Sequence, residues 1–277
     1  MNEIQWFPGH MAKAKRLVQE NLKLVDVVIE LLDARIPISS RNPMIDEILG
    51  KKLRLIVLNK SDLADPIITD KWVRFFKNKN IECIDVDSVR GDGASKISSI
   101  VKGLVYNDQI KMRTFRSIRC MIVGIPNIGK SSLINRLAKR RSTKTADKPG
   151  VTKGKQWIKV GDMMLLDTPG ILWPKFEDPE VGMKLAVTGA IKEQVFDIEQ
   201  VALYLINILR VNSPNKLFER YKLDELIEDG WQLLKEIGRK RGLLVSGGEV
   251  DTYKAAVFVL KEYRLGKLSA ISLEEPS

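Results

Sequence analysis

The sequence predicts an α/β protein in which a doubly wound, mainly parallel sheet is followed by a smaller all-helical domain. Apolar runs of strand length, such as VDVVIELLD at 25 to 33, alternate with helical patterns, and such alternation favours an open parallel sheet covered on both faces. A glycine-rich loop at 124 to 132 joins a strand to a helix. From about residue 197 the strand patterns stop. We therefore expect an α/β domain over 1–196 and a helical domain over 197–277.

The elements follow from hydrophobic periodicity. A helix at 10–24 precedes the strand at 25–33, and a second helix begins near Asp65, where Pro66 suits the first turn. A short turn near Gly161 predicts a hairpin. The remaining strands are predicted at 53–58, 81–86, 117–124, 156–160 and 162–167, and the remaining helical segments at 94–106, 131–139, 199–210, 223–242 and 251–269.

Composition bounds the class of protein. Of the 277 residues, 44% are apolar, enough for one large domain or two modest ones. No stretch approaches the roughly 20 apolar residues that span a bilayer, and the N-terminus lacks a signal-peptide pattern. Cys83 and Cys120 lie in apolar runs without metal-ligand spacing, which favours buried free thiols. We expect a soluble cytosolic protein with no membrane partner.

The charge of the chain favours a polyanionic partner. Lysine and arginine number 46 against 35 acidic residues, and the formal net charge is +11. Each phosphate that a basic side chain neutralises releases a condensed counterion, and this release increases the affinity of a basic protein for nucleic acid. The total charge alone also fits a basic protein without such a partner. Basic residues cluster at 111–119, at 139–155 and in GRKRG at 238–242, although solvated charged faces remain an alternative interpretation.

The segment GIPNIGKSS at 124 to 132, here called the phosphate loop, fits the pattern G-x-x-x-x-G-K-[ST] between a strand and a helix. Its glycines let backbone N–H groups face phosphate oxygens, Lys130 reaches the terminal phosphates, and Ser131 supplies a magnesium ligand. A turn with a surface lysine is the alternative, and the flanking elements argue against it. We expect nucleotide contacts from Asn127, Ile128, Gly129, Lys130, Ser131 and Ser132.

The DTPG turn at 167 to 170 follows a predicted strand. Asp167 therefore emerges at a strand's C-terminal end, where ligands gather in open α/β sheets. Its carboxylate can hold the hydration shell of Mg²⁺, and the Gly170 N–H can contact the terminal phosphate. Between loop and turn, Thr152 offers a hydroxyl that would coordinate magnesium when the third phosphate is present. By itself Thr152 is an ordinary loop threonine.

The NKSD segment, residues 59 to 62, predicts recognition of guanine. Asp62 has two acceptor oxygens that match the paired N1–H and N2–H donors of guanine, a pair that adenine lacks. Asn59 would approach the other edge of the base, and the Lys60 stem can lie across the ring. The segment DSVRGDG at 87 to 93 resembles the loop that completes such a pocket. We expect GTP or GDP to contact Asn59, Lys60, Ser61, Asp62, Asp87, Ser88 and Val89. A solvated turn is the alternative.

The order of these segments is a circular permutation. The base-side segments precede the phosphate loop, which precedes Thr152 and DTPG, whereas an ordinary GTPase begins with the phosphate loop. Such a change is tolerated because a doubly wound sheet is defined by which strands lie side by side, and domain termini often lie close together.

Several further segments resemble the bacterial ribosome biogenesis GTPase A family. They are WFPGHMAKA at 6 to 14, DARIP at 33 to 37, SSRNP at 40 to 44 and LDTPGILWPKFED at 166 to 178, together with the permuted order and the helical tail. The resemblance implies a GTPase that binds a late precursor of the large ribosomal subunit and its rRNA, with an RNA-binding helical domain, and that is monomeric off the ribosome. It also implies Mg²⁺, and K⁺ held by Asn127. The basic KGK at 153 to 155 departs from the family pattern.

The residue that positions the attacking water is not evident from the motifs. GTPases that carry glutamine directly after DxxG use it for this purpose, but here the position is Ile171. His10, the only histidine, could accept or donate a hydrogen bond to a water. A helix-capping or exposed terminal histidine is equally compatible with the residues. The family resemblance favours a catalytic His10, because proteins of that family are thought to carry their catalytic histidine in the WFPGHM segment.

The sequence thus predicts a magnesium-dependent GTP hydrolase of ribosome assembly. One alternative is an rRNA-binding scaffold for which GTP is a structural or regulatory ligand. Another is a small-molecule kinase built on the same phosphate loop, against which Asn59 and Asp62 argue.

Overall fold

In the computed structural model, the described residues are 16, 18–107, 117–139, 157–167, 178–225 and 227–276. They form two compact units. The first comprises residues 6–174 and 274–277, and the second is centred on residues 175–273. The second unit therefore begins before residue 197, because the helix at 179–187 clusters with the helices that follow it. The boundary at 196/197 stays a prediction about independently folding domains.

The first unit contains the strands β1 (Val27–Asp33), β2 (Leu53–Asn59), β3 (Glu82–Val86), β4 (Ile118–Val123), β5 (Trp157–Val160) and β6 (Met163–Asp167). They form a six-stranded sheet in the order β3-β2-β1-β4-β6-β5. All neighbouring strands are parallel except β5 and β6, which form the predicted antiparallel hairpin. The predicted fold class is confirmed.

The strand order reverses between β1 and β4. From β1 the chain adds β2 and β3 on one side, then returns to place β4 and the hairpin on the other. In doubly wound sheets ligands bind outside the carboxyl ends of the strands at such a switch point. All seven residues of β1 are buried, as expected for a strand covered on both faces. The topology therefore places the ligand crevice beside the ends of β1 and β4.

The helices of the first unit are α1 (Ile45–Leu49), α2 (Pro66–Asn78), α3 (Ile97–Asn107) and α4 (Lys130–Lys139). Residues 18–22 are also helical, whereas residues 10–15 of the predicted first helix lie outside the described part of the chain. In α2 the Asp65 carboxylate accepts hydrogen bonds from Ile67 N and Ile68 N, and Pro66 occupies the first turn. These features define the helix start, as the sequence predicts.

Glu30 is a buried charge in the apolar run of β1. Its carboxylate contacts Arg41 Nε at 3.1 Å and Arg54 Nη1 at 3.3 Å, and both arginines also contact Asp46 of α1 at 2.6 Å. Burial raises the pKa of Glu30, which the two arginines only partly offset. The network joins β1 and β2 to the short α1, an element that the sequence analysis did not predict.

The described residues at the end of the chain rejoin the first unit. The Glu274 carboxylate accepts a hydrogen bond from Ile38 N at 2.8 Å, one from Ser39 N that is shared between both oxygens at 3.2 Å, and one from the Ser39 hydroxyl. Trp72 Nε1 donates to the Glu274 carbonyl at 3.1 Å. Glu275 forms an exposed ion pair with Lys71. The tail is thus an ordered part of the α/β unit.

The second unit is helical. Its helices are α5 (Pro179–Val187), α6 (Ile198–Asn212), α7 (Pro214–Tyr221), α8 (Gly230–Lys240) and α9 (Thr252–Arg264). One apolar cluster holds them together, with Val201 and Leu205 of α6, Leu233 of α8 and Val259 of α9 all essentially buried. Within the residues that the structure describes, no helix is long and apolar enough to cross a membrane.

Cys83 and Cys120 are both buried and free, and burial raises the pKa of each thiol, that of Cys120 to about 12.

Candidate guanine nucleotide site

The predicted base-side and phosphate-side segments meet at one edge of the sheet. In the parallel register Asp33 at the end of β1 pairs with Asn59 at the end of β2, and Asn59 pairs with Val86 at the end of β3. Residues 124–129 follow β4, the other neighbour of β1. This edge is the crevice that the strand order predicts.

Two glycines let the phosphate loop pass close to its neighbours. Gly129 has a φ of +101°, and a Cβ at this position would lie 2.3 Å from Asn59 Nδ2. A Cβ at Gly124 would lie 2.6 Å from the carbonyl oxygen of Leu31. Neither distance is possible for a real side chain, so both glycines of the pattern are required by packing as well as by backbone conformation.

The first turn of α4 presents the predicted phosphate and metal ligands. Lys130 is nearly buried, and its ammonium donates to the carbonyl oxygens of Ile125 at 2.8 Å and Gly124 at 3.1 Å. The ammonium therefore lies over the loop. Ser131 and Ser132 are exposed at the helix N-terminus, where unpaired N–H groups and the helix dipole favour an anion. Ile128 is buried beneath the loop, and the exposed Asn127 adopts a left-handed conformation.

Asn59 connects three segments of the site. Its Nδ2 donates to the Ile128 carbonyl at 2.7 Å, and its Oδ1 accepts from Ser88 N at 3.2 Å and Ser88 Oγ at 2.6 Å. The side chain is only 2% exposed. Asn59 thus fixes the phosphate loop and the DSVRGDG segment relative to β2. The described side chain serves as a brace between the loops.

The rest of the NKSD segment forms a tight turn. Lys60 has a left-handed conformation with φ +60°, and residues 61–63 form a single 3-10 turn that leaves Asp62 exposed. Partial burial raises the pKa of the Asp62 carboxyl, and the neighbouring Asp87 carboxylate raises it further. An ionised Asp62 is therefore in an unfavourable electrostatic environment, which a ligand with N–H donors would relieve.

Asp87 shapes the adjoining loop. Its Oδ1 accepts hydrogen bonds from Val89 N at 2.7 Å and Arg90 N at 2.9 Å. Ser88 is buried, whereas the Val89 side chain is largely exposed. The carboxylate of Asp87 thus fixes the turn that carries the predicted base contacts.

Asp33, Arg35 and Ser40 lie at the same edge of the sheet as the candidate site, and the sequence analysis used them only for the family resemblance. The Asp33 carboxylate forms two side-chain hydrogen bonds with Arg35, at 2.9 and 2.8 Å, and an ion pair with Lys60 Nζ at 3.0 Å. Ser40 Oγ accepts from Asp33 N at 2.9 Å. The sequence did contain a signal that could have identified Asp33. An aspartate that ends a strand next to the NKSD strand must lie at the same edge of the sheet.

The magnesium side of the site is only partly described. His10, Thr152 and Gly170 lie outside the described residues, and for Asp167 the backbone alone is described. The end of β6 is paired with β4, Asp167 being opposite Ile122, so its Cα lies beside the strand that enters the phosphate loop. Mg²⁺ favours a few oxygen ligands from protein together with phosphate oxygens and water. An exposed serine hydroxyl and a nearby aspartate are compatible with that donor set.

Comparisons with known proteins agree with this geometry. Residues 119–241 match a family described as 50S ribosome-binding GTPase. A protein of Bacillus cereus named Ribosome biogenesis GTPase A is 53% identical over 99% of this chain and 94% of its own length. One of the same name from Priestia megaterium is 52% identical over 99% of this chain and 97% of its own. The chain belongs to the ribosome biogenesis GTPase A family.

Membership of the ribosome biogenesis GTPase A family confirms the resemblance and makes the chain a GTP hydrolase. Two solved structures are similar to it, each with a TM-score of 0.68. The GDP-bound structure of TM YlqF is 28% identical and covers 94% of this chain and 99% of its own. The GNP-bound YlqF from T. maritima is 29% identical and covers 96% and 99%. The family match that begins at residue 119 leaves the NKSD segment before it, in keeping with the permuted order of this ribosome biogenesis GTPase A family member.

Proposed function

We propose that this GTPase binds a late precursor of the large ribosomal subunit in the cytoplasm and hydrolyses GTP to promote the particle's maturation. The observation that supports the nucleotide site best is the set of hydrogen bonds from Asn59 to Ile128 and Ser88. They join the base-side and phosphate-side segments into one crevice. One ligand that carries both a base and phosphates can then contact both.

Guanine is the base that fits the crevice. The exposed Asp62 carboxylate provides the paired acceptors that the N1–H and N2–H groups of guanine require. Adenine would leave those acceptors without donors, and unpaired buried polar groups are what make such selection strong. Ser61, Ser88 and Val89 would complete the pocket, while Asn59 and Asp87 hold its loops in place.

The phosphates would lie against the loop and the first turn of α4. Lys130 would exchange its carbonyl contacts for phosphate oxygens, and backbone N–H groups at Gly129 and Ser132 would donate to them. Ser131, Asp167 and Thr152 would hold Mg²⁺, which neutralises the negative charge on the phosphates. Asn127 would hold K⁺ beside them, so GTP turnover in K⁺ should exceed turnover in Na⁺. Gly170 would contact the terminal phosphate.

His10 would position the attacking water. The residue after DTPG is Ile171, which has no hydrogen-bonding group, so a histidine from another segment can supply the function. GTP hydrolysis then depends on the placing of His10, and a bound ribosomal particle is the partner that would place it.

The helical unit offers a face for RNA. Trp231, Lys235 and Arg239 recur at intervals of four along α8 and are exposed, so they share one side of the helix. An exposed aromatic ring followed along the same face by two cationic side chains is suited to unpaired bases and phosphates. The net charge of +11 agrees with such a partner. Off the ribosome we expect a monomer.

Two measurements test the proposal. Co-sedimentation with large-subunit precursors should be tighter with a non-hydrolysable GTP analogue than with GDP. Multiple-turnover phosphate release should rise when the particles are added. Nucleotide-dependent binding without any stimulation of turnover would instead favour an rRNA-binding scaffold with GTP as a regulatory ligand. Competition by excess ATP would favour the kinase alternative.

A further inference from the structure

Asp33 is a buried carboxylate between two cations at the edge of the nucleotide crevice. Its side chain is 2% exposed, that of Arg35 1% and that of Lys60 23%. Arg35 contacts both carboxylate oxygens, at 2.9 and 2.8 Å, and Lys60 Nζ lies 3.0 Å from Oδ2. Asp33 therefore does not face a ligand itself, but one of its partners belongs to the NKSD segment.

The surroundings of Asp33 favour its ionised form. Burial alone would raise the pKa of Asp33, but the charges of Arg35 and then Lys60, with their hydrogen bonds, outweigh it and hold the pKa well below its usual range. The backbone also fixes the residue, because Asp33 N donates to Ser40 Oγ at 2.9 Å and Ala34 N donates to the Asn59 carbonyl at 2.8 Å. Asp33 is thus a charged anchor whose backbone is held on both sides.

The Lys60 side chain spans two strand ends. Its Cα directly follows β2 in a left-handed conformation, and its ammonium is bound to the last residue of β1. The methylene stem therefore runs along the carboxyl edge of the sheet, from one strand towards its neighbour. This is the edge at which ligands of doubly wound sheets bind.

We propose that Asp33 is a positioning residue that holds the Lys60 ammonium so that the lysine stem forms a fixed apolar support for the guanine ring. The inference rests on the proposed guanine site and explains how that site is prepared for the base. Lysine loses much rotamer freedom when it is ordered. Anchoring by Asp33 means that this freedom is lost on folding and not on nucleotide binding, which strengthens binding by preorganisation.

The alternative is a purely structural role, in which Asp33 serves only to neutralise the buried charge of Arg35. The Asp33 and Arg35 pair is buried, and removal of one partner from such a pair is destabilising. The two roles make different predictions about Lys60. If Asp33 serves only to neutralise Arg35, its effect on nucleotide affinity will not depend on the residue at position 60.

A double-mutant cycle on the full chain separates these roles. Affinity for a fluorescent GDP analogue would be measured for the parent, Asp33→Asn, Lys60→Met and the double variant, with the thermal midpoint of the nucleotide-free protein measured in parallel. Lys60→Met keeps an apolar stem and the Asp33 and Arg35 pair, so it should fold. We expect each single variant to bind GDP about tenfold more weakly, which corresponds to about 1.4 kcal/mol at 25 °C. The double variant should show no further loss.

Lys60→Arg is the conservative control. Its guanidinium can still bind Asp33, so affinity should remain closer to the parent than in Lys60→Met. A Lys60→Met variant with parental GDP affinity would overturn the proposal even if Asp33→Asn failed to fold. Multiplicative losses in the double variant, or a folded Asp33→Asn with parental affinity, would overturn it as well.

Asp62→Asn distinguishes this inference from the proposed guanine site. If Asp62→Asn leaves the preference for GTP over xanthosine triphosphate unchanged, the guanine site itself is wrong. If that preference shifts while Asp33→Asn binds GDP normally, only the positioning role is wrong.

Discussion

The side-chain amide of Asn59 donates a 2.7 Å hydrogen bond to the carbonyl oxygen of Ile128, a residue 69 positions later in the chain. The same side chain accepts two hydrogen bonds from Ser88. One buried amide thus joins β2, the loop after β3 and the loop after β4. The predicted base-side and phosphate-side segments are therefore held together by a contact inside the protein.

Asn59→Ala should therefore impair both stability and binding. The substitution leaves the Ile128 carbonyl and the Ser88 groups without these partners, and a buried polar group left unsatisfied costs about 1–3 kcal/mol. Urea denaturation of the nucleotide-free protein should show a loss of this size, together with weaker GDP binding. Asn78→Ala, at an exposed position of α2, is the matched control. Equal effects of the two variants would contradict the bracing role.

Asp62→Asn should separate stability from function. Because the pKa of Asp62 is raised in the folded protein, the unfolded chain loses the Asp62 proton at a lower pH than the folded protein does. The free energy of unfolding therefore decreases as pH rises from the usual carboxyl pKa of about 3.9 to the raised value. The protein remains less stable by that amount at neutral pH. The nucleotide-free variant should melt higher than the parent at pH 7 and equally at a pH well below about 3.9, where Asp62 is protonated in both states. At the same time its GTP affinity should fall and its preference should shift towards xanthine nucleotides.

Glu274→Gln should destabilise the α/β unit. The Glu274 carboxylate accepts from Ile38 N and from both the N–H and the hydroxyl of Ser39. Hydrogen bonds to a charged group contribute more than neutral ones, so the loss of charge should cost about 1 kcal/mol of unfolding free energy. Glu275→Gln is the control, because its ion pair with Lys71 is half exposed on both sides and such pairs contribute little. Indistinguishable denaturation midpoints for the two variants would argue against the tail contact.

The exposed face of α8 should contribute to particle binding. Trp231→Ala should weaken binding to precursor particles by about 1–3 kcal/mol if the ring stacks on a base. Lys235→Gln should reduce the slope of log affinity against log salt by roughly 0.7 to 0.9 if the lysine contacts a phosphate. Lys77→Gln, at an exposed position of α2, serves as the control for loss of one positive charge. Parental affinity and slope in both α8 variants would remove this face from the interface.

His10→Ala should lower turnover without much effect on binding. A group that orients water acts mainly in the transition state, so GTP and particle affinities should stay near the parental values while particle-stimulated kcat falls sharply. Single-turnover hydrolysis with saturating precursor particles is the measurement. Hydrolysis at the parental rate would assign the placing of the water to the backbone, to a cation or to the ribosome.

The sheet was predictable from sequence because each of its strands is a short apolar run next to a turn signal. The sequence pattern predicts strand β2 at 53–58, and the structure has it at Leu53–Asn59. The predicted hairpin around Gly161 is present. The short helix α1 (Ile45–Leu49) was missed, since five residues do not complete two helical turns and show little periodicity.

Contacts between distant residues account for what the sequence did not predict. Glu274 lies 235 residues from Ser39, and nothing in either local segment indicates the pairing. The ion pair between Asp33 and Lys60 depends on the register of two neighbouring strands, which is known only once the strand order is known. By contrast, the phosphate loop and the NKSD segment can be recognised in the sequence alone, because each is a short local pattern whose residue types its backbone geometry requires.

The return of Glu274 to the α/β unit has a consequence for the synthesis of the protein. The six strands are complete by Asp167, so the sheet can form while the helical unit is still being translated. The partners of the Ile38 and Ser39 N–H groups arrive about one hundred residues later. The segment between Asp33 and Ser40, which borders the NKSD turn, therefore acquires its final contacts only after residue 274 has emerged from the exit tunnel. Until then the N–H groups of Ile38 and Ser39 lack the carboxylate that accepts their hydrogen bonds in the finished protein.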